Sequence, residues 1–229
     1  MTPAPPVLLA WSGGKDSTLA LEALRAGGRE VAALLTTITA EYERISMHGV
    51  RRSLLERQAG ALGLPLVEAP IPPGASNAEY EAAFARALER ARTLRPDLRT
   101  IAFGDLFLTE IRAYRERLLA ALGWEPLFPV WGLDTAGLAR EFIRRGHRAI
   151  IVCVDTHQAP GELAGRDYDE SLLSDLPPGA DPCGERGEFH TFVHAGPLFR
   201  HPVTVRRGER VLREGRFMYC DLLPEPSSP

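Results

Sequence analysis

The sequence predicts an α/β fold, a doubly wound parallel sheet of five strands followed by a second, smaller α/β domain. Three observations carry the prediction. Short apolar runs alternate with helical periodicity through the first 130 residues, the pattern of strands joined by crossover helices. The first strand-to-helix junction is the glycine-rich Ser12-Gly13-Gly14-Lys15-Asp16-Ser17. After Val130 the alternation gives way to a Gly-, Pro- and Asp-rich stretch and short alternating segments. The domains are therefore expected to cover residues 1–130 and 131–229.

VLLAW (7–11) is short and apolar, a buried strand. STLALEALRA follows as a helix closed by Gly27-Gly28. EVAALLTTIT (30–39) is β-branched and apolar, a second strand. HGVRRSLLERQAGAL (48–62) reads as a helix stopped by Gly63, and LPLVEAPI (64–71) as a third strand. Ser76 and Glu79 form an S-x-x-E capping box, opening a helix on which Tyr80, Phe84 and Leu88 stack. TIAFGDL (100–106) is a fourth strand, TEIRAYRERLLAALG (109–123) a fourth helix and EPLFPV (125–130) a fifth strand. Beyond them TAGLAREFIRRG is helical and HRAIIVCVD a strand. VTVRRGERVL reads as a hairpin turning at Arg207-Gly208. The ends, MTPAPP and LLPEPSSP, read as tails without fixed structure.

Composition narrows the function. A 45% hydrophobic and 25% charged chain of 229 residues is ordinary for a soluble enzyme. A net charge of -3 gives no global field for nucleic acid or an anionic membrane. The Arg-rich runs VRRSLLER and FIRRGHR read as solvated helix faces. Cys153, Cys183 and Cys220 include no C-x-x-C pair, which disfavours zinc, iron–sulfur and dithiol chemistry and fits a reducing cytosol. No signal peptide is recognisable and no apolar run approaches the ~18 residues of a membrane span. A cytoplasmic location follows.

The chemistry concentrates in SGGKDS. Lys15 is the only lysine in the chain, against arginine at every other basic position. Arginine replaces lysine at most solvated positions, but not where a compact ammonium is needed. Two glycines let the backbone approach an anion. The helix N-terminus offers free N–H groups and a partial positive charge, and Ser12 and Ser17 add hydroxyls. The Walker pattern fails, because Leu9 stands at its first glycine and Asp16 follows Lys15; G-x-G-x-x-G lacks its third glycine.

What remains, S-G-G-x-D-S, resembles the PP-loop of the ATP pyrophosphatases in the adenine nucleotide α-hydrolase superfamily. That resemblance implies a Rossmann-like sheet and ATP cleavage between the α and β phosphates. An adenylated oxygen is then displaced by a nitrogen or sulfur nucleophile. Residues 47–66, 104–132 and 181–199 resemble, in order and spacing, the diphthine–ammonia ligase family, and the likeness covers nearly the whole chain. It implies an ATP-dependent ligase that adenylates a carboxylate, releases pyrophosphate and forms an amide with ammonia. Ser12, Gly13, Gly14, Lys15, Asp16 and Ser17 would then hold the ATP phosphates, with Lys15 and Asp16 catalytic. Met47 and His48 would hold the adenosine, beside Gly104 and Asp105. Arg112 and Glu116 match the family's G…R…E segment, and Gly184, Glu185, Gly187, Glu188 and Thr191 its G-E-G-G-E-Y-E-T signature; these are expected at the substrate. Arg186, Phe189 and His190 depart from that signature, and His190 for glutamate changes the charge shown to the acceptor. ATP and Mg2+ are the implied cofactors, Mg2+ and Lys15 offsetting phosphate charge.

Several residues keep two readings at this level. Glu188 is a general base, an ammonium-binding carboxylate, or a loop cap. His48 stacks on adenine or caps a helix. Asp105 and Asp155 end strands at the ligand face and are Mg2+ candidates. Strand periodicity puts Glu188, His190 and His194 on one face, but ~13 Å along a strand separates the two histidines, too far to share a metal. Cys183 is a candidate nucleophile without a basic partner, Cys153 a core thiol and Trp131 a packing residue. No glutaminase segment is recognisable, so ammonium is expected from solution or a partner. A carboxylate on a small molecule or a modified protein side chain is the expected acceptor. Diphthine, a modified histidine of elongation factor 2, is the family's. A homodimer is kept open. The alternatives are a PP-loop tRNA-modifying enzyme, which the missing C-x-x-C and basic surface disfavour, and an ATP-binding sensor without turnover.

Overall fold

The computed structural model describes residues 4–225. Its first sheet contains β1 (Val7–Ala10), β2 (Val31–Thr39), β3 (Arg44–Ile45), β4 (Leu66–Ile71), β5 (Thr100–Ala102) and β6 (Glu125–Leu127). Five of these run parallel, in the order β4-β2-β1-β5-β6. The sixth, β3, is a two-residue antiparallel piece on the carboxyl end of β2. The crossovers are α1 (Lys15–Ala26), α2 (Arg52–Leu62), α3 (Asn77–Leu94) and α4 (Thr109–Ala121).

Both faces of this sheet are covered, so β1 is apolar throughout rather than alternating. Val7 and Leu9 pack into a core with Leu21 of α1 and Leu54 of α2. Leu8 points to the other face, into a core with Phe84 and Leu88 of α3 and Leu119 of α4. The Ser76–Glu79 capping box forms as the sequence predicts. Helix α2, however, begins only at Arg52. Gly49 (φ 68) and the extended Arg51 keep residues 48–51 out of the helix, so His48 caps nothing.

The second sheet is antiparallel, with the order β8-β7-β10-β9. Its strands are β7 (Arg148–Asp155), β8 (Phe189–Ala195), β9 (Val205–Arg213) and β10 (Phe217–Pro224), accompanied by α5 (Thr135–Arg144) and α6 (Glu170–Asp175). The expected hairpin at Arg207-Gly208 is wrong. β9 continues through Gly208, with a register shift against β10 there, and the chain reverses at 214–216, where Glu214 (φ 53) and Gly215 (φ 62) are left-handed. Nor is LLPEPSSP wholly a tail. Leu222, Leu223 and Pro224 pair with Arg207, Arg206 and Val205, while residues 1–3 and 226–229 lie outside the described residues.

The two sheets share one core: Leu9, Leu21 and Leu54 belong to the same buried cluster as Phe192 and Val193 of β8. Gln58 is the polar rivet in it, fully buried on the apolar face of α2. Its Oε1 accepts the Trp11 indole N–H (3.0 Å), and its Nε2 donates to the carbonyls of Gly13 (2.9 Å) and Val193 (2.5 Å). Replacing Gln58 by leucine leaves the Trp11 indole N–H without its partner in the interior and takes a hydrogen bond from the Val193 carbonyl, each loss costing ~1–3 kcal/mol, while the Gly13 carbonyl keeps the Val193 N–H. Gln58→Leu is therefore expected to lower unfolding free energy by about 3 kcal/mol or more. The check is a fall in the urea midpoint at unchanged slope.

Candidate active site

Parallel α/β sheets bind ligands at the carboxyl ends of their strands, where strand order reverses. Here that point lies between β1 and β5. Residues following β1, β2 and β5 form one wall of a cavity of about 490 Å³, and residues of the 184–191 segment form the other. Such a volume lies in the range of small-molecule sites.

The glycine-rich turn is held by shape. Gly13 has φ 78, and a Cβ there would lie 2.8 Å from Gln58 Oε1. At Gly104 a Cβ would meet the Asp16 backbone at 2.7 Å, so only glycine lets the β5 end rest on the start of α1. Gly14, the N-cap of α1, brings no side chain. Thr191 of β8 supplies one instead, its Oγ1 accepting the Lys15 N–H at 3.1 Å. Ser17 Oγ donates to the Gly14 carbonyl and lies 3.3 Å from Ser12 Oγ. Ser12, Gly14, Lys15, Asp16 and Ser17 all line the cavity; Gly13 shapes the turn behind them.

Lys15 is 2% exposed. Its Nζ donates to both carboxylate oxygens of Asp16 at 3.0 Å and to the Cys183 carbonyl, 168 residues away. It also lies 5.7 and 5.6 Å from the ring centres of Tyr168 and Phe189, an attractive placement for a cation. Burial opposes its charge most strongly, but Asp16, Cys183 and Glu185 together outweigh burial and the Lys15 pKa moves up. The niche fits a compact ammonium, not a planar guanidinium.

Glu185 is half-buried and lines the cavity. Its Oε1 accepts N–H bonds from Leu106 (2.7 Å) and Phe107 (3.4 Å) in the segment after β5. Burial pushes its pKa up to about 7, with the charges of Asp16 and Asp105 adding and the Leu106 N–H opposing. His48 and His190 meet across the cavity, ring centres 4.4 Å apart. Burial lowers both, His48 to about 4 and His190 well below the usual imidazole range, so both rings are neutral at neutral pH.

Other expected residues fall elsewhere. Glu188 is buried outside the cavity lining, its two oxygens accepting the N–H groups of Asp181 (2.8 Å) and Arg186 (3.0 Å). That geometry is the loop cap. Arg112 and Glu116 form an ion pair along α4, with Arg112 over Phe128 and Trp131, and do not line the cavity. Asp105 lines it, but Arg115 takes both its oxygens. Asp155 sits in the second sheet, where Arg216 binds it bidentately and holds its carboxyl well below the usual range. The arginines leave neither aspartate open for Mg2+. Among the described residues no three His, Cys, Asp or Glu side chains converge on a metal-sized point. Burial pushes the Cys183 thiol up to about 12, which removes it as a nucleophile. Cys153 is a core thiol. Met47 (φ 67) lies exposed on the rim. Arg115 and Gln58 were not singled out by sequence. Arg115 carries no local signal; Gln58 does, as a lone polar residue on the apolar stripe of α2.

Two tests follow from this geometry. Lys15→Arg keeps the charge but overfills the niche, so ATP affinity is expected to fall at least about tenfold and the urea midpoint to drop. Isothermal titration and urea melts measure both. Glu185 has a folded pKa raised from 4.5 to about 7, so folding disfavours its ionised form. Stability is therefore expected to fall as pH rises from about 4.5 to about 7 and to level off above. The wild-type minus Glu185→Gln difference in unfolding free energy against pH should show this slope.

Family models agree with this architecture. The diphthamide synthase N-terminal domain matches residues 6–126, and the diphthamide synthase C-terminal domain residues 134–222. A diphthine–ammonia ligase of Schizosaccharomyces pombe is 27% identical over 217 residues, 87% of this chain and 36% of that protein. The chain thus spans about a third of the yeast relative's length. The diphthine–ammonia ligase of Danio rerio is 27% identical over 221 residues, 88% of this chain and 86% of its own. A solved structure of a predicted tRNA methyltransferase subunit from Methanocaldococcus jannaschii is 18% identical, covering 84% of this chain and 98% of its own at a TM-score of 0.43. With both domain models matched in order along one chain, the protein belongs to the diphthamide synthase family.

Proposed function

We propose that this chain is an ATP-dependent amide-forming ligase of the diphthine–ammonia ligase type, joining ammonia to a carboxylate through an adenylate. The observation that carries the reading is the meeting of two loops in one cavity. The glycine-rich turn of the first sheet and the 184–191 segment of the second share Lys15, Asp16, Thr191 and Glu185 around it.

The chemistry explains the arrangement. A carboxylate is a poor electrophile because oxide is a poor leaving group; AMP is a good one. In this reading the N-terminus of α1, with Ser12, Gly14 and Ser17, receives the ATP phosphates. Lys15 offsets phosphate charge at the loop, and Asp16 holds Lys15 in place. The nucleoside lies toward Met47 and His48. Mg2+ enters with ATP, since divalent magnesium is commonly held by substrate phosphates and one or two carboxylates. Glu188 keeps the signature loop in shape, and positioning two reactants in one cavity supplies much of the rate.

The acceptor is a carboxylate that approaches on the His190 side of the cavity. The relatives' names make diphthine on elongation factor 2 the first acceptor to try. The neutral His190, where the family pattern has glutamate, allows an acceptor with a different charge near its carboxylate. No described helix is long and apolar enough to cross a membrane, and a cytoplasmic site of action fits the three free cysteines.

Phosphorus NMR tests the reading. The protein is incubated with ATP, Mg2+, ammonium and either diphthine-bearing elongation factor 2 or a host extract. AMP and pyrophosphate are expected, with Lys15→Ala lowering the rate roughly 100-fold or more. ADP and phosphate, or ATP bound but unchanged with both acceptor sources, would overturn it.

A further inference from the structure

We propose that Glu185 is the ammonium site and the base that frees ammonia for attack, an assignment that rests on the ligase reading above. The geometry leaves one carboxylate for this task. Three line the cavity: Asp16, Asp105 and Glu185. Asp16 has both oxygens on the Lys15 ammonium, and Asp105 has both on the Arg115 guanidinium. Glu185 has no cation on it. Its Oε1 is anchored by the Leu106 and Phe107 N–H groups, and its Oε2 accepts no hydrogen bond from any described residue. One oxygen is fixed and the other is left without a hydrogen bond on a residue that lines the cavity, which is how a positioned base is built.

The reaction needs such a group. At neutral pH ammonia is almost wholly ammonium, which has no lone pair. A compact cation entering this cavity meets an unpaired carboxylate at Glu185, and the charges around it set its proton affinity. Asp16 and Asp105 raise it, while Lys15 faces it from α1 and contributes the nearby positive charge. Burial lifts it further, to about 7, the value at which a carboxylate both binds ammonium and accepts its proton near neutral pH.

The step balances as follows. Glu185 takes one proton from ammonium and returns it to water. The nitrogen lone pair forms the C–N bond to the adenylated carbonyl carbon. The C–O bond to AMP breaks, its electron pair staying on the phosphate oxygen. A second nitrogen proton leaves with AMP, giving the neutral amide.

The test compares ammonium with hydroxylamine, a nucleophile that is uncharged at neutral pH and needs no base to free its lone pair. Wild type and Glu185→Gln are assayed with ATP, Mg2+ and whichever acceptor gives AMP with wild type. Adenylation needs no base at this position, and the amide oxygen of the variant still accepts the Leu106 N–H. Glu185→Gln is expected to lose at least about 100-fold in ammonium-dependent kcat/KM. It keeps ATP–pyrophosphate exchange and hydroxamate formation near wild-type levels, and its residual ammonium-dependent rate climbs with the free-ammonia fraction without the levelling above pH 7 expected of wild type. Equal losses with ammonium and hydroxylamine, or an unchanged ammonium reaction, overturn the assignment while leaving the ligase reading standing. No amide from wild type with either acceptor overturns both.

Discussion

The site depends on one buried ammonium. Lys15 begins α1, yet its Nζ ends against the carbonyl of Cys183, in the far half of the sequence. Between these points it holds both oxygens of Asp16 and rests against two aromatic rings. A buried charge is tolerated only when paired and hydrogen-bonded, and here every partner comes from a segment that must be folded and in place. The lysine thus ties the glycine-rich turn to the 184–191 loop on the other side of the cavity. The same need explains why it is the chain's sole lysine.

The remaining links reinforce that tie from other directions. Thr191 caps α1 from across the sheet boundary, and Gln58 clamps the backbone of Gly13 to that of Val193. The Val193 N–H also donates to the Gly13 carbonyl at 2.9 Å. Glu185 grips the backbone after β5 from the other side. The cavity is therefore made by both sheets, and neither half presents a finished wall alone. Its polar groups are divided by charge. Two carboxylates are neutralised by cations, two imidazoles are neutral by burial, and one carboxylate is left open.

Much of this was legible in the sequence, for local reasons. Apolar runs marked the five parallel strands, and the glycine-rich junction marked the turn that lines the cavity, because both depend on residues adjacent in the chain. Ser76 and Glu79 announced their capping box for the same reason. What failed depended on distant partners. The Arg207-Gly208 turn looked plausible until Gly208 is seen inside β9, at a register shift against β10, while the true reversal uses the left-handed Glu214 and Gly215. Asp105 and Asp155 read as open strand-end carboxylates, but Arg115 and Arg216 occupy them. No spacing rule links Asp155 to Arg216. Glu188 and Glu185 are three residues apart in one signature, and only the fold separates the loop cap from the carboxylate in the cavity.

The central claim is that the two loops together activate a carboxylate as an adenylate. Isotope transfer tests it most directly. The acceptor carboxylate is labelled with ¹⁸O and turned over with ATP, Mg2+ and ammonium, and the products are weighed by mass spectrometry. One ¹⁸O atom in the phosphate of AMP is the predicted result, since the acceptor oxygen leaves attached to the α-phosphorus. Label in inorganic phosphate, or AMP without label, would contradict the claim and point to an acyl phosphate or to simple hydrolysis of ATP.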